Sequence, residues 1–459
     1  MKKSGATLMT DGPIWKRIIL FAVPIFLGNT FQQLYNTADT LIVGNFLNKD
    51  ALAAVSSSGS LIFLLIGFFS GISLGAGAAV SRHFGAGDDE QVSRAVHTML
   101  AFGLVAGAML TALGMGFTPT ILRWMSTPSD VLPHSVSYFR MYFAGSLAFV
   151  LYNISVGILQ AVGNSRDPLI YLIIASVVNV ILDLLFVGVF GWGVWSAAFA
   201  TSLSQGLCAL LALCKLMTSR GSFRVSLRAV RFHKEMLREI LTLGLPSGVQ
   251  NSIIAFANII VQSNINSFEK DAMAACGSYA KLEGFAFLPV TCFAMALTTF
   301  IGQNLGAKQY DRAKRGARFG IICSLTMAEV IGVILYAFAP TLIAMFNRDP
   351  EIIRIGTQQA RVEALFYFAL AFSHCIAGTM RGAGRAIVPM LVMMICWCII
   401  RVTYLTVVLH FVHKITVVFW AYPLTWMLSS IIFLIYFVKG DWVHSFERLD
   451  AKKKREQVA

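Results

Sequence analysis

Two aspartates stand inside long apolar segments of this 459-residue chain. Asp183 lies in the run Val-Ile-Leu-Asp-Leu-Leu-Phe, with no lysine or arginine nearby in sequence, and Asp39 lies close to the end of another such run. A carboxylate at the centre of a bilayer costs at least about 2.5–3.5 kcal/mol on insertion scales. Side chains kept at that cost indicate a functional site, and the chemistry that a buried carboxylate offers is the binding of a cation.

Other polar side chains share a helical face with these acids. Asp39 ends a stripe spaced three or four residues apart, and Asp183 ends a second stripe. The first stripe contains Asn29, Gln32, Asn36 and Asp39, with Tyr35 beside it, and the second contains Ser176, Asn179 and Asp183. Asn153, Thr201 and Ser204 add oxygen atoms from nearby segments. Carboxylates surrounded by amide and hydroxyl oxygens suit Na⁺, and they suit a proton equally well.

The segments that must position these residues are long enough to cross a membrane. The chain is 57% hydrophobic and 13% charged, whereas soluble domains carry about 25% charged residues. Runs of roughly 20 apolar residues cross a hydrocarbon core of about 30 Å. We predict twelve spans, at 17–42, 52–80, 93–117, 135–156, 168–189, 194–214, 240–264, 280–303, 316–337, 357–380, 388–411 and 417–438.

The net charge of +14 is distributed unevenly along the chain. Most lysines and arginines fall in the termini and in the loops after even-numbered spans, so the positive-inside rule predicts that both termini are cytoplasmic. The basic segment from Lys215 to Arg238 and the tail Lys452–Arg455 should contact anionic lipid. This distribution argues against a nucleic-acid partner and predicts a multi-pass membrane protein.

The two halves of the chain repeat each other at an offset of about 221 residues. The clearest match is a glycine, a second glycine six residues later and a proline five residues after that, which occurs as Gly157, Gly163, Pro168 and again as Gly378, Gly384, Pro389. Six spans per half is an even number, so the halves are predicted to be parallel repeats around a central cavity. The predicted divisions are a cytoplasmic N-terminus (1–16), an N-lobe (17–214), a basic linker (215–239), a C-lobe (240–438) and a basic tail (439–459).

The second half does not copy the acids of the first. At the same offset Asp183 becomes Tyr404, and Thr201 becomes Tyr422. We therefore expect ion coupling in the first half and a substrate cavity formed by both. The predicted cavity residues are Gln32, Tyr35, Asn36, Ser204, Asn258, Gln262, His374 and Arg401. The sequence leaves open whether Glu283, Glu329, Glu363 and Arg401 take part in coupling; for Glu363 one interpretation is an ion pair with Arg361 or another arginine at the membrane edge.

Pro24 interrupts the backbone hydrogen bonds of the first span and permits a bend there. Together with Tyr35-Asn-Thr-Ala-Asp39, the Gly85-Ala86 and Gly306-Ala307 loops and the two Gly-x₄-Pro turns, it resembles the multidrug and toxic compound extrusion (MATE) family, over residues 13–438. Within the family the chain is most similar to the prokaryotic branch of DinF and MepA, so the resemblance implies a prokaryotic inner membrane. The resemblance implies that Asp39 and Asp183 are the coupling acids, with Asn179, Asn153 and Thr201 as supporting ligands and Gln32 facing the substrate.

The family implies antiport, in which entering Na⁺ or H⁺ drives export of amphipathic, often cationic, drugs. The NorM-like branch carries acids in spans 7 and 10, and this chain has none in span 7. The alternative is a flippase for lipid-linked saccharides; a channel and a membrane enzyme fit less well. The expected partners are membrane lipid and an amphipathic small molecule. The sequence predicts a monomer with no cofactor beyond the coupling ion and no metal other than Na⁺.

Overall fold

The structure, a computed structural model, describes residues 6–46, 49–124, 129, 131–268 and 270–448. For residues 40, 41, 44, 45, 49–61 and 63 the description is limited to the backbone. Every regular element in the described part of the chain is a helix. The predicted all-helical fold is therefore confirmed, while the tail Lys452–Arg455, predicted to contact lipid, lies outside the described residues.

The described chain divides into two compact units. Unit 1 comprises residues 6–8 and Val23–Leu241, and unit 2 comprises Met9–Ala22 and the residues from Thr242 onward. Helices α1 and α8 contribute residues to both. The elements up to the linker are α1 (Ile14–Phe46), α2 (Lys49–Ala86), α3 (Asp89–Trp124), α4 (Leu132–Ala144), α5 (Ser146–Ala161), α6 (Arg166–Asp183) and α7 (Trp195–Thr218). Those after it are α8 (Lys234–Ile265), α9 (Lys270–Gly306), α10 (Tyr310–Ala344), α11 (Pro350–Ala364), α12 (Tyr367–Gly382), α13 (Ile387–Met393), α14 (Arg401–Phe411) and α15 (Ile415–Lys439).

The helices are long and apolar enough to cross a membrane. Within the described residues ten spans qualify singly, and two further pairs qualify if each bent pair crosses once, which gives twelve. The pairs are α4 with α5, bent by 45°, and α11 with α12, bent by 52°. Each pair corresponds to one predicted span, and the two bends were not predicted.

Glycine is required at the repeated positions for two different structural reasons. A Cβ on Gly157 would lie 2.2 Å from Ser73 Oγ, and one on Gly378 would lie 2.2 Å from the backbone oxygen of Ala294. Both positions are therefore close contacts between helices. Gly163 and Gly384 end α5 and α12 with φ of +82° and +76°, a left-handed conformation that glycine adopts without steric cost. The same motif thus positions the same helix pair and the same turn in each unit.

Replacing Gly378 by alanine is expected to destabilise the protein by about 1–3 kcal/mol, because a backbone atom blocks the new methyl group and the helices must separate. Thermal unfolding of the purified protein in detergent measures the change. Gly277→Ala is the matched control, since no atom lies within 4 Å of a Cβ at this position of α9 and alanine favours a helix. Equal unfolding temperatures for Gly378→Ala and the unmodified protein would contradict the close contact.

Two π-helical segments interrupt the long spans of the described chain. Leu184–Val189 directly follows Asp183 at the end of α6, and Met394–Ile400 directly precedes Arg401 at the start of α14. A π-helical turn is rare and is frequently found at functional sites. The two residues beside these segments, Asp183 and Arg401, are both candidate functional residues from the sequence.

The basic linker is held against the N-terminal part of α3. The backbone N–H of Ser226 donates to Nε2 of His97 at 3.0 Å, and the backbone N–H of His233 donates to the hydroxyl of Thr98 at 3.3 Å. Burial, and then the positive charge of Arg231, lower the pKa of the His233 imidazole from its usual value. The His233 side chain is therefore neutral at physiological pH.

This pKa direction predicts that the linker contact weakens in acid. A histidine whose pKa is lower in the folded protein than its unfolded value of about 6.5 stabilises the folded state fully above about pH 6.5. This contribution is lost as the pH falls from there through the folded-state pKa. Amide hydrogen exchange at 231–234, corrected for intrinsic rates, should therefore rise several-fold below about pH 6. His233→Gln, which cannot titrate, should remove the pH dependence. Equal pH dependence in this variant would exclude His233 as its cause.

Candidate cation site

The two candidate aspartates lie next to each other in unit 1. Asp39 comes from α1 and Asp183 from the last position of α6, and their carboxyl groups are close enough to interact directly. Asp183 is fully buried. Both oxygens of Asp183 and Oδ1 of Asp39 are buried without a hydrogen-bond partner in the protein. Two ionised carboxylates in contact repel each other, so this arrangement favours a proton or a cation on the pair.

Asn179 lies one helical turn before Asp183, and its side chain is likewise buried without a hydrogen-bond partner in the protein. Its side chain is 1% exposed, and neither its amide nitrogen nor its amide oxygen has a partner in the protein. Buried side-chain amides are almost always hydrogen-bonded. Together with the carboxylates, Asn179 presents oxygen atoms that a cation can bind.

A small cavity opens beside Asn179. Its volume is about 10 Å³, which is room for one water molecule or a bare ion. The polar residues that line it come from α1, α6 and α7. They are Tyr35, Ser176, Asn179, Thr201, Ser204 and Gln205. The structure thus brings Thr201 and Asn179, two of the predicted ligands, to one cavity.

Asn153 is engaged elsewhere. Its Oδ1 accepts a hydrogen bond from the Ser70 hydroxyl at 2.8 Å, and its Nδ2 donates to the backbone oxygen of Phe149 at 2.9 Å. The bond from Ser70 joins α5 to α2, and the bond to Phe149 lies within α5. Binding of an ion by Asn153 would require them to break, so its predicted part in the site is less direct than that of Asn179.

The predicted substrate residues divide equally between the units. In unit 1, Tyr35 lies close to Gln32 and Gln205, Asn36 is exposed, and the Ser204 hydroxyl donates to the backbone oxygen of Ala200. Pro24 lies inside α1, and the bend expected there stays a prediction.

In unit 2 the predicted substrate residues fall into two groups. Asn258 and Gln262 are exposed on α8, where Gln262 donates to Asn266 at 2.9 Å. His374 packs its ring against Trp397, with centroids 5.4 Å apart. The guanidinium of Arg401 faces the same tryptophan at 5.5 Å. The structure therefore brings both His374 and Arg401 to the ring of Trp397, whereas Asn258 and Gln262 lie exposed on α8.

One residue near the acids was not singled out by the sequence. Tyr138 on α4 is 5% exposed and lies within electrostatic range of both Asp39 and Asp183. Tyr142 follows it by one helical turn, and this pair of tyrosines in an apolar span was the available signal. Periodicity alone could not show that this face of α4 meets the two aspartates.

The interpretation of Glu363 as one half of an ion pair at the membrane edge is wrong. Glu363 is fully buried, and its Oε1 accepts a hydrogen bond from Gln359 at 2.9 Å. The guanidinium of Arg361 instead lies over the ring of Tyr336, at 5.6 Å. Arg361 and Glu363 point to different surroundings, since positions two apart on a helix differ in direction by about 200°.

A helical membrane fold with buried acids inside its spans defines a multi-pass membrane transporter. The family model MatE matches the chain twice, over residues 24–185 and 246–408. These matches cover more than half of the chain, which therefore belongs to the MatE family. The family predicted from the residues is confirmed, and the double match follows the predicted repeat.

Relatives match over nearly the full length. The probable multidrug resistance protein YoeA of Bacillus subtilis is 28% identical, with 92% of this chain and 93% of YoeA covered. The multidrug export protein MepA of Staphylococcus aureus is 22% identical, with 85% and 87% covered. A MOP superfamily transporter from Pyrococcus furiosus has the same fold, with a TM-score of 0.88, 22% identity and 99% of each chain covered.

Proposed function

We propose that this protein is a secondary antiporter that exports amphipathic, cationic small molecules as Na⁺ or H⁺ enters. The observation that carries the proposal is the contact between Asp39 and Asp183, in which both oxygens of Asp183 and Oδ1 of Asp39 lack partners in the protein. The cavity of about 10 Å³ that Asn179 lines on the same helix as Asp183 is small enough to exclude a drug and to admit a monovalent cation. The relatives YoeA and MepA, which are named for multidrug resistance and export, support the choice of cargo.

Coupling requires the cation and the cargo to favour different states of the transporter. Occupancy of the Asp39–Asp183 pair removes the repulsion between α1 and α6, so it alters the preferred geometry of α1. Pro24, inside the same helix, offers a point at which α1 can bend. We infer that the bend transmits occupancy at the acids to the residues that contact cargo. We also infer that the working protein is a monomer with cytoplasmic termini.

The test is transport by purified protein in liposomes. A fluorescent amphipathic cation serves as cargo, and either a Na⁺ or a pH gradient is imposed across the membrane. Export should follow one gradient and cease when that gradient is collapsed by the matching ionophore. Flux that is the same with and without both gradients would overturn the antiport proposal, and the gradient that drives flux identifies the ion.

A further inference from the structure

Unit 2 contains an open groove that the mechanism above does not use. Helices α10, α11 and α15 form its walls, and its volume is about 610 Å³, which is within the range of roughly 300–1,000 Å³ that small-molecule pockets have. Pro340, close to the end of α10, and Pro350, the first residue of α11, both line it. The groove therefore lies near the ends of membrane-spanning helices, where the hydrocarbon core gives way to lipid headgroups.

The groove opens towards lipid. Tyr336 and Pro340, which line it, share a helical face with Val333, since the three are spaced three and four residues apart. Val333 is 63% exposed, and Val330 and Ile334 beside it are exposed as well. Polar residues of a span face the protein interior or a water-filled cavity, so an exposed face of aliphatic side chains is one that contacts hydrocarbon.

One positive charge in the groove is left uncompensated. Arg354 and Arg361 lie seven residues apart on the same face of α11, and both line the groove. Arg354 is neutralised by Glu351, whose carboxylate accepts from its Nε and Nη2 at 2.8 and 2.6 Å. Arg361 makes no ion pair with any residue that the structure describes, and its guanidinium lies 5.6 Å from the ring centre of Tyr336. An anionic ligand would supply the missing negative charge.

Two aromatic side chains indicate the depth of the groove in the membrane. Trp420 lies five residues after the start of α15, and Tyr336 lies eight residues before the end of α10, which places them about 8 and 12 Å from those helix ends. Both are exposed and both line the groove. Tyrosine and tryptophan are enriched at the level of the headgroups. The ring of Phe366 lies 5.9 Å from that of Trp420 and adds apolar surface next to it.

The groove is also lined by a residue whose hydroxyl has no partner. Thr357 is 9% exposed, and its hydroxyl oxygen is buried without a hydrogen-bond partner in the described protein. Threonine uses two rotamers in a helix, so rotation about χ1 can turn the hydroxyl into the groove. Thr357 lies one helical turn before Arg361, on the same face. Hydrogen bonds to a charged phosphate oxygen are strong, and these two side chains form a pair of donors suited to one.

We propose that this groove is a specific site for one anionic phospholipid, whose headgroup phosphate contacts Arg361 and Thr357. Val362, Leu365 and Phe366, which also line the groove, provide the apolar surface for an acyl chain. A phospholipid with one negative charge matches the single uncompensated charge of Arg361. A cationic amphiphile, the cargo proposed above, is repelled by the same charge.

The internal repeat provides a comparison within the chain. At the offset of 221 residues Arg361 corresponds to Arg140 on α4, which is also exposed, while Thr357 corresponds to Val136. Unit 1 therefore keeps the arginine and lacks the hydroxyl at the equivalent position. Arg140→Gln removes the same charge as Arg361→Gln at the equivalent position of the other unit, which makes it the matched control.

The test is native mass spectrometry of the full-length protein released from detergent and titrated with dioleoyl phosphatidylglycerol or dioleoyl phosphatidylcholine. We expect one phosphatidylglycerol molecule to bind more tightly than any later one and more tightly than phosphatidylcholine. Arg361→Gln should weaken this first binding step about tenfold or more, which is the effect of losing a hydrogen bond between charged groups. Thr357→Val should weaken it about threefold without lowering the unfolding temperature, because the hydroxyl has no partner in the described protein to lose.

Arg140→Gln should leave the first binding step unchanged. Equal affinities for Arg361→Gln, Arg140→Gln and the unmodified protein would overturn the proposal, as would equal binding of the two phospholipids. Displacement of the lipid by inorganic phosphate would indicate a site for the free ion, and protein dimers that disappear in Arg361→Gln would indicate a contact between copies; either result would also overturn it. If Arg361→Gln does not fold, Thr357→Val carries the test. No ion gradient or cargo is used, so the result does not depend on the antiport proposal.

Discussion

Gradient-driven export by the Asp183→Asn variant is expected to fall to background, about 5–150-fold below the unmodified protein, which is the range of typical coupling energies. The substitution keeps the size of the side chain and removes its charge. Asp183 is fully buried beside Asp39 with both oxygens unpaired in the protein, so the loss is specific to cation binding. Asp39→Asn should produce the same defect, because one carboxylate cannot replace the pair.

The control for this prediction is Asp167→Asn. Asp167 lies in the first turn of the same helix and is paired with Lys215 at 2.9 Å, away from the cavity residues. It undergoes the same chemical change, yet export should stay within about twofold, since a partly exposed ion pair contributes 0–1 kcal/mol. Liposome flux under the driving gradient gives the comparison, with equal amounts of monodisperse protein. Full activity in both Asp39→Asn and Asp183→Asn would remove these residues from the mechanism.

The Asn179→Leu variant is expected to be more stable than the unmodified protein and inactive in coupled export. Leucine has the same number and branching of side-chain heavy atoms as asparagine, and the change removes two buried polar atoms that have no partner in the protein. Each such atom costs about 1–3 kcal/mol, so the gain in unfolding free energy should be of that order. The loss of the amide oxygen beside the carboxylates should abolish ion binding. Functional sites often carry a stability cost of this kind.

Asn153→Leu is the same substitution at another position, but it is expected to lower the free energy of unfolding instead of raising it. Both ends of the Asn153 amide are hydrogen-bonded, to Ser70 and to the backbone of Phe149, so its removal should destabilise the protein by about 1–3 kcal/mol. Thermal unfolding of both variants in detergent, in buffer free of Na⁺, measures the difference. A lower unfolding temperature for Asn179→Leu would mean that its amide is satisfied in the folded protein.

Asp39 and Asp183 could be predicted as functional residues because the pattern that marks them lies within a short stretch of sequence. Asp183 stands among apolar residues, and Asn179 lies one turn before it on the same face, so burial and orientation followed from helical spacing. The repeated glycines were equally local, since each marks a turn or a close contact within a short motif. Membrane spans were predictable from apolar length, which depends on composition and little on packing.

What the sequence could not predict depends on how helices meet. Glu363 was interpreted as an edge residue because Arg361 precedes it by two positions, but the 52° bend between α11 and α12 was not foreseen, and Glu363 faces the interior. Tyr138 is close to both aspartates only through the packing of α4. Arg401 was visible as a buried cation, yet its neighbours Tyr422 and Thr425 come from another span. Helical periodicity gives the direction of a side chain and not the identity of what it meets.

The π-helical segments have a consequence for the evolution of the two lobes. A π turn holds more residues than an α turn and is formed when a residue is inserted without lengthening the span. Loss of one residue from Leu184–Val189 would restore regular winding and rotate Asp183 by about 100° relative to the residues beyond the segment. The orientation of the acid is therefore sensitive to chain length as well as to residue type. Insertions and deletions of one residue in this segment should alter ion selectivity while preserving the membrane topology.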